Sequence, residues 1–240
     1  MRAVSIVGPK KSGKTTLGLK LTEVLTSLGY KVAVAKHSGC GFDRQDSDTG
    51  RYLKVCAGVI GLGPDESMIS WPGERFLPDM LPLVDADVLI VEGGKSYGWL
   101  PRILMFDDLE DAKGLNPELA LACHGKHGLP GAPKIDSVGE LAKLVLDRGF
   151  VLPGLDCGSC KRENCRGLAM DIVAGKAEIS DCKSLDSKMK ITVNGKNVAL
   201  NPFMNDLFAA VIQAMLGRLK GFAPGHVKID MGKIDMGKTK

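Results

Sequence analysis

The stretch from Gly8 to Thr15 constrains the fold of this chain more than any other part of the sequence. It reads Gly-Pro-Lys-Lys-Ser-Gly-Lys-Thr and satisfies G-x4-G-K-T, the pattern of a phosphate-binding loop. An apolar strand over Val4–Val7 precedes the loop, and an amphipathic helix that ends at Gly29 follows it, as the pattern requires. This beginning predicts an α/β fold: a doubly wound P-loop NTPase-type domain with a mostly parallel sheet.

Each residue type in the loop suits the binding of nucleotide phosphates. Gly8 and Gly13 allow backbone N–H groups to turn toward phosphate oxygens, and the N-terminus of the following helix adds its dipole. We expect Lys14 to reach the β- and γ-phosphates and Thr15 to offer its hydroxyl to Mg²⁺. The predicted nucleotide-binding residues are Gly8, Pro9, Lys10, Lys11, Ser12, Gly13, Lys14, Thr15 and Thr16.

A carboxylate at the end of a second buried strand completes the predicted site. The run Val88-Leu-Ile-Val91 is continuously apolar, which is typical of a strand buried on both faces of a parallel sheet, and Glu92 follows it. Such sheets place an acid that directs Mg²⁺ or water at this position, although a surface charge at a strand end is the simpler alternative. Lys14 and Glu92 are therefore the candidate catalytic residues, and Thr15 and Glu92 the candidate Mg²⁺ ligands.

The remaining N-terminal segments continue the α/β pattern up to about residue 150. A capping box formed by Ser137 and Glu140 opens a helix over Val138–Asp147, and Pro153-Gly154 marks a linker. Strands are predicted over Lys31–His37, Gly58–Gly63, Met68–Trp71, Arg102–Phe106 and Leu119–His124. We predict domains over residues 1–150, 151–187 and 188–240.

Four cysteines define the second domain. Cys157, Cys160, Cys165 and Cys182 are spaced C-x2-C-x4-C-x16-C, and no histidine lies among them. Iron–sulfur clusters are held by four thiolates in such arrangements; tetrahedral zinc is the alternative, although zinc ribbons usually pair two C-x2-C knuckles. Arg166–Gly175 is predicted to be a helix that covers the cluster with aliphatic side chains.

Composition narrows the functional classes. The chain has 240 residues and a net charge of +4, which is too weak to suggest binding to nucleic acid. No apolar run reaches the roughly 18 residues needed to cross a bilayer. No signal peptide is recognised, so the seven cysteines indicate a reducing cytoplasm and a metal site rather than disulfides.

The last segment is predicted to be a hairpin followed by a helix. Asn194-Gly195 forms the turn and places Ile191 opposite Val198. Asn201 caps a helix over Phe203–Leu219 that is apolar nearly all round and must therefore be buried. Packing within the chain is one alternative; a homodimer or a docked partner is the other.

Four motifs together carry a family resemblance. GPKKSGKTTL, VAKH, the Asp48-Thr-Gly-Arg51 stretch and VEGGK resemble the molybdopterin-guanine dinucleotide biosynthesis adapter family, MobB, over about residues 1–150. The resemblance implies that His37, Asp48, Arg51, Glu92 and Lys95 line a site for GTP. It also implies a partner that attaches GMP to the pterin cofactor, a guanylyltransferase or another molybdenum-cofactor biosynthesis protein.

The chain departs from that family in three respects. Gly94 replaces the aromatic residue of the family's EG-aromatic-K element, and no N-K-x-D element is present, so guanine over adenine rests on the resemblance alone. The cysteine segment is an addition, and Leu155–Ser184 resembles the four-cysteine [4Fe-4S] domain of electron-transfer complex subunits and corrinoid iron–sulfur proteins. By that resemblance the cluster is [4Fe-4S].

Two hypotheses from different classes follow. In the first, the protein is a GTP-binding adapter for molybdenum or tungsten pterin cofactor assembly, and it hydrolyses GTP slowly at most, because no arginine finger or water-positioning glutamine is recognised. In the second, it is an ATP-dependent electron-transfer or metallocofactor-maturation ATPase that uses the cluster as a redox centre. Pro9 favours the first, since gating ATPases of the nitrogenase iron-protein type carry a lysine at that position.

Overall fold

The computed structural model describes most of the chain. The described residues are 1–38, 42, 47–185, 189, 191–193, 196–198, 200, 202–221, 223, 225, 227 and 229. The strands are β1 (Arg2–Val7), β2 (Val32–Lys36), β3 (Val59–Leu62), β4 (Ser67–Ser70), β5 (Val88–Glu92), β6 (Arg102–Leu104), β7 (Ala120–Cys123), β8 (Ile191–Val193) and β9 (Lys196–Val198). The α-helices are α1 (Lys14–Ser27), α2 (Asp48–Leu53), α3 (Leu77–Met80), α4 (Leu109–Lys113), α5 (Val138–Arg148), α6 (Cys165–Val173) and α7 (Pro202–Leu216).

 

β1, β2, β5, β6 and β7 form one parallel sheet, in the order β2-β5-β1-β6-β7. β5 pairs with both β1 and β2, so that Glu92 lies opposite Ile6 on one side and Lys36 on the other. The carboxyl ends of these three strands therefore meet at one edge of the sheet. This edge positions the phosphate-binding loop, which follows β1, beside the residues that follow β2 and β5.

Helices α1 and α5 cover one face of the sheet. Ser137 caps α5 as predicted, because its hydroxyl accepts a hydrogen bond of 3.3 Å from the backbone N–H of Glu140. Apolar residues of the two helices and of the strands form a common core with Met105, namely Val4, Ile6, Leu17, Leu21, Leu25, Val88, Ile90, Ile103, Ala122, Leu141, Ala142 and Val145. This face has the expected architecture of a doubly wound domain.

The opposite face of the sheet is covered largely by the cysteine segment. Sheet residues Ala3, Leu89 and Val91 share a core with Leu168 and Ala169 of α6 and with two of the four cysteines. Trp99 and Leu152 complete this core and are buried. The residue directly before the predicted linker is therefore part of the hydrophobic core, and the nucleotide domain and the cysteine segment share apolar contacts.

Two predicted strands lie outside the main sheet. β3 and β4 pair with each other in an antiparallel hairpin and do not extend the parallel sheet. Ile60 and Leu62 of this hairpin are exposed, although the alternation of the sequence resembles that of a core strand. Pairing with a distant strand depends on tertiary context, which a short run of residues does not encode.

The C-terminal unit matches its predicted elements but not its predicted burial. β8 and β9 pair with Ile191 opposite Val198, as expected, while the Asn194-Gly195 turn and the Asn201 cap lie outside the described residues. α7 is exposed along much of its apolar surface, and Phe203 retains 72% of its accessible area. Of the two alternatives for covering this helix, packing within the chain is not what the described residues show, and covering by a second copy or a docked partner stays a prediction.

Part of α7 is nevertheless held by a polar contact. Asn205 is buried, and its side-chain amide donates a hydrogen bond of 2.7 Å to the carbonyl of Met189.

In the part of the chain that the structure describes, no helix is long and apolar enough to span a membrane.

Candidate nucleotide site and cysteine cavity

The loop between β1 and α1 has the backbone conformation that a phosphate cradle needs. Lys11 and Gly13 both adopt positive φ angles, 63° and 86°. A Cβ atom on Gly8 would lie 2.2 Å from the carbonyl oxygen of Met105, so only glycine fits there. The two glycines of the motif are thus required by close approach at Gly8 and by the left-handed backbone at Gly13.

The N-terminus of α1 has no side-chain cap, in contrast to several other helices of the chain. Gly13 occupies the cap position and provides no side-chain hydrogen bond. Side chains cap four other helices, those of Ser47, Asp108, Ser137 and Asn164. The first N–H groups of a helix need an acceptor, and a phosphate oxygen at this position would supply one and also benefit from the helix dipole.

Lys14 is held by the loop itself. Its ammonium group donates to the carbonyl of Gly8 at 3.0 Å and to the carbonyl of Pro9, and it lies 3.4 Å from the hydroxyl oxygen of Ser12. Burial lowers the pKa of Lys14; the Glu92 carboxylate opposes that shift, and the positive charges of Lys95 and Lys36 add to it. The negative charge of Glu92 and the positive charges of Lys36 and Lys95 thus act on one ammonium group at this edge of the sheet.

Glu92 connects the helix to the neighbouring strands. One of its carboxylate oxygens accepts a hydrogen bond of 2.7 Å from the hydroxyl of Thr15, and the same oxygen lies 3.3 Å from the ammonium nitrogen of Lys36. Its side chain is only 15% exposed. A hydroxyl and a carboxylate at this separation are the pair of oxygen ligands that a nucleotide-bound Mg²⁺ uses in P-loop proteins.

His37 lies at the same edge of the sheet, directly after β2. Its backbone N–H donates to the carbonyl of Glu92 at 2.9 Å, and its Nε2 lies 3.5 Å from a carboxylate oxygen of Glu74. Its ring meets the ring of Tyr97 edge to face, with 5.6 Å between centroids. The backbone of His37 therefore joins the end of β5 at Glu92, while its ring faces Glu74 and Tyr97.

Asp48 and Arg51 are placed differently. Both lie on α2, where they are exposed and form an ion pair with each other at 3.8 Å. Within the described residues, neither makes a hydrogen bond or ion pair with the phosphate-binding loop. Their assignment to the nucleotide site therefore stays a prediction.

The four predicted cluster ligands line one cavity. Cys157, Cys160, Cys165 and Cys182 surround it together with Leu155 and Leu168, and its open volume is about 10 Å³. This is the space of a single water molecule, so a cluster would require the thiols to move apart. In the described part of the chain, no three His, Cys, Asp or Glu side chains are arranged to hold a single metal ion.

The thiols differ in their surroundings. Burial raises the pKa of Cys165 and of Cys182. Burial also disfavours the thiolate of Cys157, but hydrogen bonds from Ser159 and Ser184 outweigh it and lower the pKa of that thiol. An all-cysteine set around one cavity, with α6 above it, fits a thiolate-bound cluster in the identity of its donor atoms.

The sequence prediction missed Arg102, which lies near these sites. Arg102 is fully buried in β6, and it donates to the carbonyls of Lys95, Tyr97 and Leu115 at 2.8 to 3.0 Å. Burial lowers the pKa of Arg102 to about 10, so the guanidinium stays charged at neutral pH. The sequence feature that could have identified Arg102 is an arginine at the start of a short apolar strand, because a charged side chain buried there requires hydrogen-bond partners.

The fold and the site define a P-loop nucleotide-binding protein with a four-cysteine segment. Residues 3–119 match the family model described as "Molybdopterin guanine dinucleotide synthesis protein B", MobB, and residues 152–184 match the one described as "Putative Fe-S cluster". Residues 3–119 thus form a MobB domain, and a segment that matches an iron–sulfur family follows it in the same chain.

Individual relatives agree with this assignment. The chain is similar over its whole length, at 28% identity, to a "Putative molybdopterin-guanine dinucleotide biosynthesis adapter protein" of Methanocaldococcus jannaschii, all of which is covered. A "Probable molybdopterin-guanine dinucleotide biosynthesis adapter protein" of Bacillus subtilis is 27% identical over 47% of this chain and 69% of its own length. The crystal structure of Bacillus subtilis MobB shares the fold, with a TM-score of 0.50 at 23% identity over 62% of this chain and 99% of that protein.

Proposed function

We propose that this protein is a GTP-binding adapter in the biosynthesis of molybdopterin guanine dinucleotide, the molybdenum or tungsten cofactor, and that it carries a [4Fe-4S] cluster. The observation that carries the proposal is the arrangement of Lys14, Thr15 and Glu92 at one edge of the sheet. It is supported by the full-length similarity to a protein named as such an adapter. The partner in this proposal is the guanylyltransferase that joins GMP to the pterin.

The nucleotide part of the proposal rests on charge and geometry. The Lys14 ammonium is influenced by one carboxylate, that of Glu92, and by the positive charges of Lys36 and Lys95, so the charged groups around it carry an excess of positive charge. A nucleoside triphosphate with Mg²⁺ supplies negative charge for the lysines and a cation for Thr15 and Glu92. Lys14 would then exchange its contacts with the loop carbonyls for phosphate oxygens.

The cluster part of the proposal rests on the donor set. Four thiols line one cavity, two of them are buried, and the match to an iron–sulfur family spans all four. Thiolate ligands suit iron–sulfur clusters, and a bound cluster would hold four positions of the segment 157–182 together.

A titration under anaerobic conditions tests both parts. The chain is purified without oxygen, its iron and sulfide are measured, and it is titrated with GTP and with ATP in the presence of Mg²⁺. The proposal predicts about four irons per chain and tighter binding of GTP than of ATP. Full zinc occupancy without iron, or no binding of GTP, would contradict it.

Matched variants make the test specific. Lys14→Ala should remove most of the GTP affinity, whereas Lys20→Ala, an exposed lysine on the same helix, should not change it. Cys160→Ser should lower the iron content, whereas Cys56→Ser should leave it unchanged, because Cys56 lies outside the cavity.

A further inference from the structure

One segment of chain connects the nucleotide site to the cysteine cavity. Residues 93–101 run from the end of β5 to the start of β6. The positive charge of Lys95, near one end of the segment, helps to lower the pKa of Lys14. Trp99, near the other end, is 6% exposed and belongs to the core that contains Cys165 and Cys182.

Hydrogen bonds of Asn116 also connect the two sites. The side-chain amide of Asn116 donates to the carbonyl of Lys95 at 3.2 Å. Its side-chain oxygen accepts a hydrogen bond of 3.2 Å from the guanidinium of Arg166, which also binds the carboxylate of Glu118. Arg166 directly follows Cys165, so two hydrogen bonds lead from the residue after a predicted cluster ligand to the backbone of Lys95.

Close packing reinforces this connection. A Cβ atom on Gly98 would lie 2.9 Å from the Cβ of Arg166, so the segment and the first turn of α6 are in direct contact. A Cβ atom on Gly94 would lie 2.5 Å from the ring of Tyr97, and Gly94 has a φ of 70°. Because Gly98 is in close contact with Arg166, a displacement of α6 is transmitted to this segment.

We propose that Asn116 and Arg166 couple the two sites, so that the protein binds GTP more tightly when the cluster is present. This inference rests on the proposed function and adds regulation to it. A bound cluster fixes Cys165 and therefore Arg166; Arg166 fixes Asn116, and Asn116 holds Lys95 in place for the phosphates. Preorganisation of a binding residue raises affinity because less conformational freedom is lost on binding.

The coupling must act in both directions. If the cluster raises the affinity for GTP by a given factor, bound GTP raises the affinity for the cluster by the same factor. We expect a factor of about five to ten, near the lower end of the usual range for coupled sites. At a given concentration of GTP, more of the cluster-loaded protein than of the cluster-free protein would then carry GTP.

The test compares GTP dissociation constants of cluster-loaded protein and of protein freed of iron by a chelator. Two variants remove the connection. Asn116→Gly tolerates the positive φ of 53° at this position while it removes the amide, and Arg166→Met keeps an aliphatic stem against Gly98. Gln213→Ala, which removes an exposed amide on α7, is the control.

We expect wild type and the control to bind GTP about five to ten times more weakly without the cluster, and both variants to show a ratio near one at unchanged iron content. GTP should also slow the loss of iron to a ferrous chelator in wild type but not in Asn116→Gly. A ratio near one in wild type, or an unchanged ratio in both variants, would overturn the coupling.

The same titrations separate failure of the coupling from failure of the proposed function. Equal GTP binding with and without the cluster rejects the coupling and leaves the GTP-binding adapter intact. Absence of GTP binding by the loaded protein rejects the proposed function, and the coupling with it.

Discussion

The hydroxyl of Thr15 lies 2.7 Å from a carboxylate oxygen of Glu92, which it contacts across 77 residues of sequence. The contact joins the first turn of α1 to the end of β5, the two places from which P-loop proteins take their Mg²⁺ ligands. Glu92→Gln keeps the hydrogen bond acceptor but removes the charge. We expect the affinity for GTP measured with Mg²⁺ to fall about tenfold, while the affinity measured in EDTA stays within twofold.

The matched control for that change is Glu110→Gln, an exposed glutamate on α4 that pairs with Lys113. Isothermal titration calorimetry on the same preparations measures both conditions. Equal losses with and without Mg²⁺ in Glu92→Gln would show that this carboxylate does not act through the metal.

The pKa of Lys14 predicts how GTP binding depends on pH. Phosphate binds the charged ammonium, and burial lowers the pKa of this group below its ordinary value of 10.5. Affinity is therefore present at lower pH and is lost as pH rises through the lowered pKa, earlier than for an exposed lysine. Lys14→Arg should keep a weaker affinity that does not change over the same alkaline range, because arginine remains charged. Titrations from pH 7 upward measure both profiles, and parallel profiles would contradict this role for Lys14.

A substitution of Leu168 tests whether the cysteine segment and the sheet share one hydrophobic core. It is 1% exposed and shares a core with Leu89 and Val91. Leu168→Ala should lower the free energy of unfolding by about 3 kcal/mol, since it leaves a cavity between α6 and the sheet. Met170→Ala on the same helix, where the side chain is partly exposed, should cost about 1 kcal/mol or less. Urea denaturation of cluster-loaded protein measures both, and equal effects would argue against a shared core.

Arg102, which the sequence prediction missed, provides a further test. Arg102→Met fills most of the space but leaves the carbonyls of Lys95, Tyr97 and Leu115 without this donor. We expect the free energy of unfolding to fall by about 3 kcal/mol, as buried polar groups lose their partners. Arg75→Met, an exposed arginine whose guanidinium lies over the Trp71 ring, should cost less than about 1 kcal/mol. Urea denaturation decides between these expectations, and a neutral Arg102→Met would show that the carbonyls find other donors.

The nucleotide loop could be predicted from sequence because its signal is local. Gly8, Gly13, Lys14 and Thr15 are adjacent in sequence, and their spacing encodes the turn and the helix start. Glu92 could be predicted as well, since the carboxyl ends of neighbouring parallel strands meet at one edge. Asn116 and Arg166 could not, because their connection to Lys95 depends on how α6 packs against the segment 93–101.

The helix α7 shows a second limit of prediction from the hydrophobic pattern of the sequence. Its apolar residues indicate that the helix needs a partner surface, but they do not encode where that surface is. Phe203 and Val211 are exposed in the described chain, so of the two predicted alternatives the described residues do not show packing within the chain. The register of β8 and β9, by contrast, follows from the length of the turn alone.

The burial of Phe150 and Leu152 bears on how this protein can be divided for experiments. The backbone N–H of Phe150 donates to the carbonyl of Ala3, and that of Leu152 donates to the carbonyl of Trp99. A fragment that stops at residue 150 would lack most of the residues that pack against one face of its sheet. The apolar surface exposed in this way would be prone to aggregation. Biochemists who wish to study nucleotide binding in isolation should therefore mutate individual cysteines in the intact polypeptide rather than truncate it.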